Sequence, residues 1–186
     1  MKNISRLFFV LLVFLFAGCG GKTTVDKQSG GMTTYSDKEM GFSIEHPSQW
    51  SKETKNNRVG FFSPDDQAAI FVTMYYNIPA DENIEDIFEN VIVRPYQKSE
   101  TFGIGENLMD EEDRNWTPEI AGAAGAEAGY GGFFQGQIAG KDIMMLVSVL
   151  KKGTTAYQVM TYATKSSYDQ YKETMQNAFA SFVIAE

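Results

Sequence analysis

AEAGYGGFFQGQIAGKDIMMLVSVLKKGTTAYQVMTYA, residues 126–163, is the stretch that decides the fold. It reads as three strands, Ala126 to Ile138, Ile143 to Leu150 and Thr155 to Ala163. Ala139-Gly140-Lys141-Asp142 and Lys151-Lys152-Gly153-Thr154 supply the turn chemistry between them. Connections this short imply antiparallel hairpins, because a parallel return needs about a dozen residues or more. Ile143-Met144-Met145-Leu146-Val147 shows no polar alternation. A strand of that kind is expected at the centre of a sheet, covered on both faces.

Working outward, Ser167 to Phe182 is predicted as a closing helix. Tyr168, Tyr171, Met175, Phe179 and Phe182 give its apolar positions, and Ser167 with Gln170 offers a capping box. Upstream, Asp81 to Val93 reads as a second helix, with Ile84, Ile87, Phe88 and Val91 on one stripe. Asp81, Glu82, Glu85 and Asp86 complement its dipole, and Arg94-Pro95 is expected to stop it. Ala69 to Tyr76 is β-branched and aromatic, as a buried strand should be, and Asn77-Ile78-Pro79 ends it. Residues 99–118 are mostly polar and read as loop, with short strands near Phe102 and Trp116. A helix before the meander and one after it can cover opposite faces. The expected class is therefore α+β, a central antiparallel sheet with helices on both faces.

Composition narrows the function. The 186 residues carry 16 Lys+Arg against 24 Asp+Glu, for a net charge of −8, with one His and one Cys. An acidic chain without a basic block is unsuited to nucleic-acid phosphates, which need clustered Lys and Arg. A single Cys excludes an intramolecular disulfide and any multi-Cys zinc site. A single His, His46, excludes a two-His metal site. From Thr34 to Glu186 the chain is long enough to bury roughly 70% of its unfolded surface in one domain.

The N-terminus has the order of a secretory signal. Lys2 and Arg6 precede an unbroken apolar run, Leu7 to Phe16, followed by small Ala17 and Gly18. That run is too short to span a membrane, which takes about 20 residues. Phe16-Ala17-Gly18-Cys19 resembles the lipobox of bacterial lipoproteins, with Phe16 where the pattern prefers Leu. The resemblance implies cleavage after residue 18 and diacylglycerol on the Cys19 thiol. Two acyl chains suffice for stable anchoring where one is marginal. Residues 19–33, small and polar from Gly20 and Gly21 to Gly30 and Gly31, then read as a flexible tether. Residues 34–186 are the globular domain, expected outside the cytoplasm and held to the cell membrane by its lipid.

Tyr35-Ser36-Asp37-Lys38-Glu39-Met40-Gly41-Phe42-Ser43-Ile44-Glu45-His46-Pro47-Ser48-Gln49-Trp50 resembles the opening of PsbP-like domains. In that family a Gly-Phe-Ser unit leads into a Pro-x-x-Trp turn, here Pro47 to Trp50. Phe61-Phe62-Ser63-Pro64 is similar to the family's next strand and its exit. The ending, Tyr157 and then Tyr171 through Phe179 to Ser181-Phe182, is similar too. The resemblance spans about residues 34–184 and implies an α-β-α sandwich. Plant and cyanobacterial members are extrinsic subunits of photosystem II that help retain calcium, manganese and chloride. The physical reading agrees on the fold: Met40-Gly41 suits a turn needing positive φ, and Phe42 and Ile44 alternate inward. Such residues build a fold and report no activity.

Candidate sites are few. His46, before Pro47 at a strand end, reads as a partly exposed packing residue. Asp110-Glu111-Glu112-Asp113 could offer oxygens to calcium or manganese, and is the one possible metal site. Consecutive acids point in different directions, however, and a solvated acidic loop is the favoured reading. Gly103-x-Gly105 lacks the third glycine and following helix of a dinucleotide loop. The small-residue run Ala121 to Gly132 reads as a strand that is bent or closely covered. No Gly-x-Ser-x-Gly elbow occurs and no cofactor is expected. The expected function is a non-enzymatic module that binds or helps assemble a protein partner. The alternatives are a photosystem II-type accessory retaining calcium or manganese, and an envelope hydrolase built on two carboxylates.

Overall fold

The structure, a computed structural model, describes residues 31–97, 99 and 101–185. The predicted signal segment, Cys19 and most of the predicted tether lie outside the described residues. Strands β1 (Met32–Asp37) and β2 (Phe42–Pro47) come first, so ordered pairing begins two residues before the expected start at Thr34. Then follow β3 (Ser51–Lys55), β4 (Arg58–Phe62) and β5 (Ala68–Tyr75). Helix α1 (Ile84–Phe88) runs through a π-helical turn (Glu89–Val93) into α2 (Arg94–Gln97). Next come β6 (Phe102–Asn107), α3 (Glu111–Arg114), β7 (Asn115–Trp116) and α4 (Pro118–Ala123). The meander β8 (Ala128–Ile138), β9 (Lys141–Lys152) and β10 (Thr155–Thr164) leads to α5 (Tyr168–Ala180) and β11 (Val183–Ile184).

The main sheet has the order β3-β4-β5-β10-β9-β8-β6, with β7 also on β8, and a small sheet has the order β1-β2-β11. Every pairing is antiparallel. The two predicted hairpins form, with Ile138 opposite Lys141 and Lys152 opposite Thr155. Their tips carry positive φ at Ala139, Gly140 and Gly153, as two-residue hairpin turns demand. Strand β9 is central, between β8 and β10.

Both faces of the sheet are covered. Ile143, Met145, Val147 and Val149 pack in one layer with Ile87, Phe88 and Ile92 of the first helical segment. Leu150, Val159 and Ile70 pack in the other with Tyr171, Met175 and Ala178 of α5 and with Phe42 and Ile44 of β2. The α-β-α sandwich is thus observed, with the small sheet added beside α5.

Three local expectations need correction. The first helical segment does not stop at Arg94-Pro95 but continues to Gln97. Proline's ring normally clashes with the carbonyl one α-turn back. Here the turn before it is widened, with Arg94 N–H donating to Glu89 O, five residues away. The wide turn also moves the apolar face, so Ile92 is fully buried while Val91 is only half-buried. Second, the helix α5 starts at Tyr168, and Ser167 makes no side-chain capping bond, because a 3-10 turn (Lys165–Ser167) feeds the helix directly. Third, residues 118–123 form a short helix rather than loop leading into a strand: Thr117 Oγ1 accepts from Ile120 N–H, and Pro118 opens it.

Candidate functional site

The acidic stretch forms a turn of helix rather than an open loop. Asp110 precedes α3, and Asp110, Glu111, Glu112 and Asp113 are all exposed, fanned around one turn. The turn is closed from within: Arg114 Nε and Nη2 donate to Met109 O at 3.0 and 2.8 Å. Asn107 Oδ1 accepts from the N–H groups of Met109 and Phe133, each at 3.1 Å. Among the described residues no group of three or more His, Cys, Asp or Glu is placed to hold a metal ion.

His46 is half-buried and stacks on Phe61, ring centroids 4.0 Å apart, with Nδ1 3.0 Å from Pro47 O. Burial lowers its pKa, the Pro47 carbonyl opposes that, and Lys52 adds to the lowering. The packing role expected of it is what the geometry shows.

The glycine run is closely covered, as expected. A Cβ on Gly129 would stand 2.9 Å from Trp116 Cε3, and one on Gly131 3.2 Å from Trp116 Nε1. The indole therefore lies flat on β8 over both glycines. At the other end of β8, a Cβ on Gly136 would collide with the Gly103 carbonyl, and one on Gly105 would stand 3.0 Å from Gln135 O. Gly105 and Gly136 thus serve the close approach of β6 to β8, whereas a side chain at Gly103 would meet open space.

Two of the concavities among the described residues, one polar and one apolar, bear most on function. The first is a polar cleft of about 400 Å³ between the first helical segment and the β6–β8 edge, lined by Glu85, Asp86, Glu89, Arg114 and Tyr130 among others. Two of its acids, Glu85 and Glu89, already have partners. Tyr130 Oη donates to Glu85 Oε1 at 3.4 Å, and Glu89 pairs with Arg94 at 3.4 Å. Burial and the neighbouring Glu85 carboxylate raise the Tyr130 pKa against the pull of Arg114. Nearby, Tyr75 donates to Gln158 Oε1 and Gln158 Nε2 donates to Tyr96 Oη, both at 2.8 Å, pinning α2 to the sheet. Burial, with Tyr96 beside it, pushes the Tyr75 pKa up to about 12.

The second is an apolar cavity of about 500 Å³ beneath α4 and α5. Leu150 and Val159 form its floor, Trp116, Phe179 and Phe182 its walls, and Ala123 and Ala124 its roof. Trp116 meets Phe179 edge-on at 5.7 Å. Ser148 also lines it, fully buried, with no hydrogen-bond partner for Oγ among the described residues. Sequence reasoning missed this place. The signals were a lone hydroxyl, Ser148, inside an apolar central strand, and the helix start Thr117-Pro118.

No protein-family model matches the chain, and no curated protein matches it. Solved structures do. The chain is similar to cyanobacterial PsbP (CyanoP) from Synechocystis sp. PCC 6803, at 15% identity and TM-score 0.57, covering 90% of this chain and 98% of that one. It is also similar to LpqN of Mycobacterium tuberculosis, described as involved in cell envelope biogenesis, at 10% identity and TM-score 0.51, covering 86% and 87%. At these identities the likeness concerns the fold, and the α+β sandwich described above is a PsbP-like fold.

Proposed function

We propose that the chain is a lipid-anchored, extracytoplasmic module that binds or helps assemble a protein partner and performs no catalysis. The observation that carries this reading is the PsbP-like fold of the described residues, shared with a solved structure matched over 98% of its own length. LpqN, an envelope protein by its description, has a similar fold. The lipobox-like stretch ending in Cys19 places the attachment point just ahead of that domain. Removal of residues 1–18, with Lys2 and Arg6, leaves 14 Lys+Arg against 24 Asp+Glu, a net charge of −10 that keeps the domain off anionic headgroups and suits a tethered module reaching for a partner. The engagement of Glu85 with Tyr130 and of Glu89 with Arg94 supports a structural use of the polar cleft.

Anchoring is tested by expressing the full chain and Cys19→Ser in a bacterial host, with membrane fractionation and intact mass. The expected result is wild type in the membrane fraction, with residues 1–18 removed and a diacylglyceryl mass added, and neither change in Cys19→Ser. Unmodified wild type in the soluble fraction would overturn the proposal.

A further inference from the structure

We propose that the cavity beneath α4 and α5 is a binding site for an uncharged, largely apolar small molecule with one hydrogen-bonding group, which pairs with Ser148 Oγ. This goes beyond the protein partner inferred above and does not depend on it. The volume, about 500 Å³, falls within the roughly 300–1,000 Å³ of small-molecule sites, and the lining follows their pattern of apolar walls with few polar groups.

Ser148 makes the site specific. Its side chain is fully buried on β9, yet its hydroxyl has no partner among the described residues. A buried hydroxyl left unpaired keeps the cost of its desolvation, and such groups are rare in native folds. A ligand oxygen or nitrogen placed at the floor removes that cost, while its apolar body fills the space between Trp116, Phe179 and Phe182. Thr161, on the adjoining strand and facing the same layer, is likewise buried and unpaired. The polar deficit is therefore concentrated beneath α5.

The charge of the ligand follows from the lining. It contains no Lys, Arg or His, and Glu119 is its one ionisable side chain. An anionic group would enter unpaired and meet that carboxylate. A cation inside would likewise lack a buried counter-charge. Ile120, exposed at 55%, stands at the lip where an apolar molecule would enter.

The test uses phenyl-naphthylamine, a neutral fluorophore with one N–H, and its sulfonated analogue anilino-naphthalene sulfonate. The expected result is saturable one-to-one fluorescence enhancement with the neutral probe and at least about tenfold weaker binding of the sulfonate. Ser148→Ala should weaken the neutral probe about fivefold without loss of fold. Ala123→Trp should abolish binding with the near-UV dichroism of the fold retained, and Ile120→Trp, at the exposed lip, provides a second block. No saturable enhancement, equal binding of the sulfonate, an unchanged affinity in Ser148→Ala, or full binding in both blocked variants would overturn the proposal.

Discussion

At the residue scale, the backbone shows where side-chain choice is suboptimal and where it is required. Ala139 sits at φ 47 because the two-residue connection from Ile138 to Lys141 needs left-handed backbone, a region where a Cβ is penalised. Ala139→Asn should raise stability by up to about 1 kcal/mol, read as a higher urea midpoint at unchanged slope. Gly41, at φ 65, is the opposite case, a turn held by Tyr157 Oη donating to Met40 O at 2.8 Å. Asp65 links packing to pH. Partial burial raises its pKa, but hydrogen bonds from Ser63, Tyr171 and the Gln67 N–H outweigh this and hold it below the ordinary value. A carboxyl lowered on folding stabilises the native state above the unfolded pKa, about 3.9, and that contribution is lost as pH falls through the folded value. Asp65→Asn should therefore be less stable than wild type at neutral pH, with the gap closing as acidification takes the pH below the ordinary carboxylate range and through the lowered folded value. Denaturation curves at both ends of that range measure it.

At the element scale, the fit between Trp116 and the glycines of β8 explains why this strand is built of small residues. Gly129→Ala puts a methyl 2.9 Å from the indole and 3.1 Å from Leu150 Cδ2. It should cost about 1–3 kcal/mol and shift tryptophan emission to longer wavelength as Trp116 lifts from the sheet. The acidic turn α3 carries a different prediction. Its four acidic residues are exposed and, among the described residues, form no group placed to hold a metal ion, and Arg114 closes the turn onto Met109 O. Isothermal titration with millimolar calcium should give no saturable heat, and a stoichiometric binding isotherm would favour the metal reading of Asp110, Glu111, Glu112 and Asp113. These elements also show what was legible beforehand. The meander could be read because its apolar runs and Gly-containing turns are local signals, as at Ile143 to Val147 and Gly153. The continuation through Pro95 could not, because the widening that accommodates the ring at Glu89–Val93 is a property of the packed helix. The Thr117-Pro118 cap was readable and was overshadowed by the small residues that follow.

At the scale of the whole molecule, one central sheet separates two apolar layers, and distant segments close each of them. Strand β5 joins the sheet by pairing with β10, Val72 opposite Val159, so the first third of the chain is fixed by the last. Phe42 stacks on Phe182 at 5.6 Å, which ties β2 to the segment that leaves α5. Sequence pattern exposed both helices and both layers. The cavity was out of reach, because Trp116, Ser148, Val159 and Phe179 converge only in three dimensions. The same sandwich, with its polar cleft engaged in internal pairs, underlies the central claim that the chain works by binding at the membrane. Mild crosslinking of native membranes, purification of the tagged full chain and quantitative mass spectrometry against Cys19→Ser test that claim most directly. The account predicts one or a few proteins reproducibly enriched with wild type and depleted with Cys19→Ser. An empty result from wild-type protein shown to be lipidated and folded would contradict it.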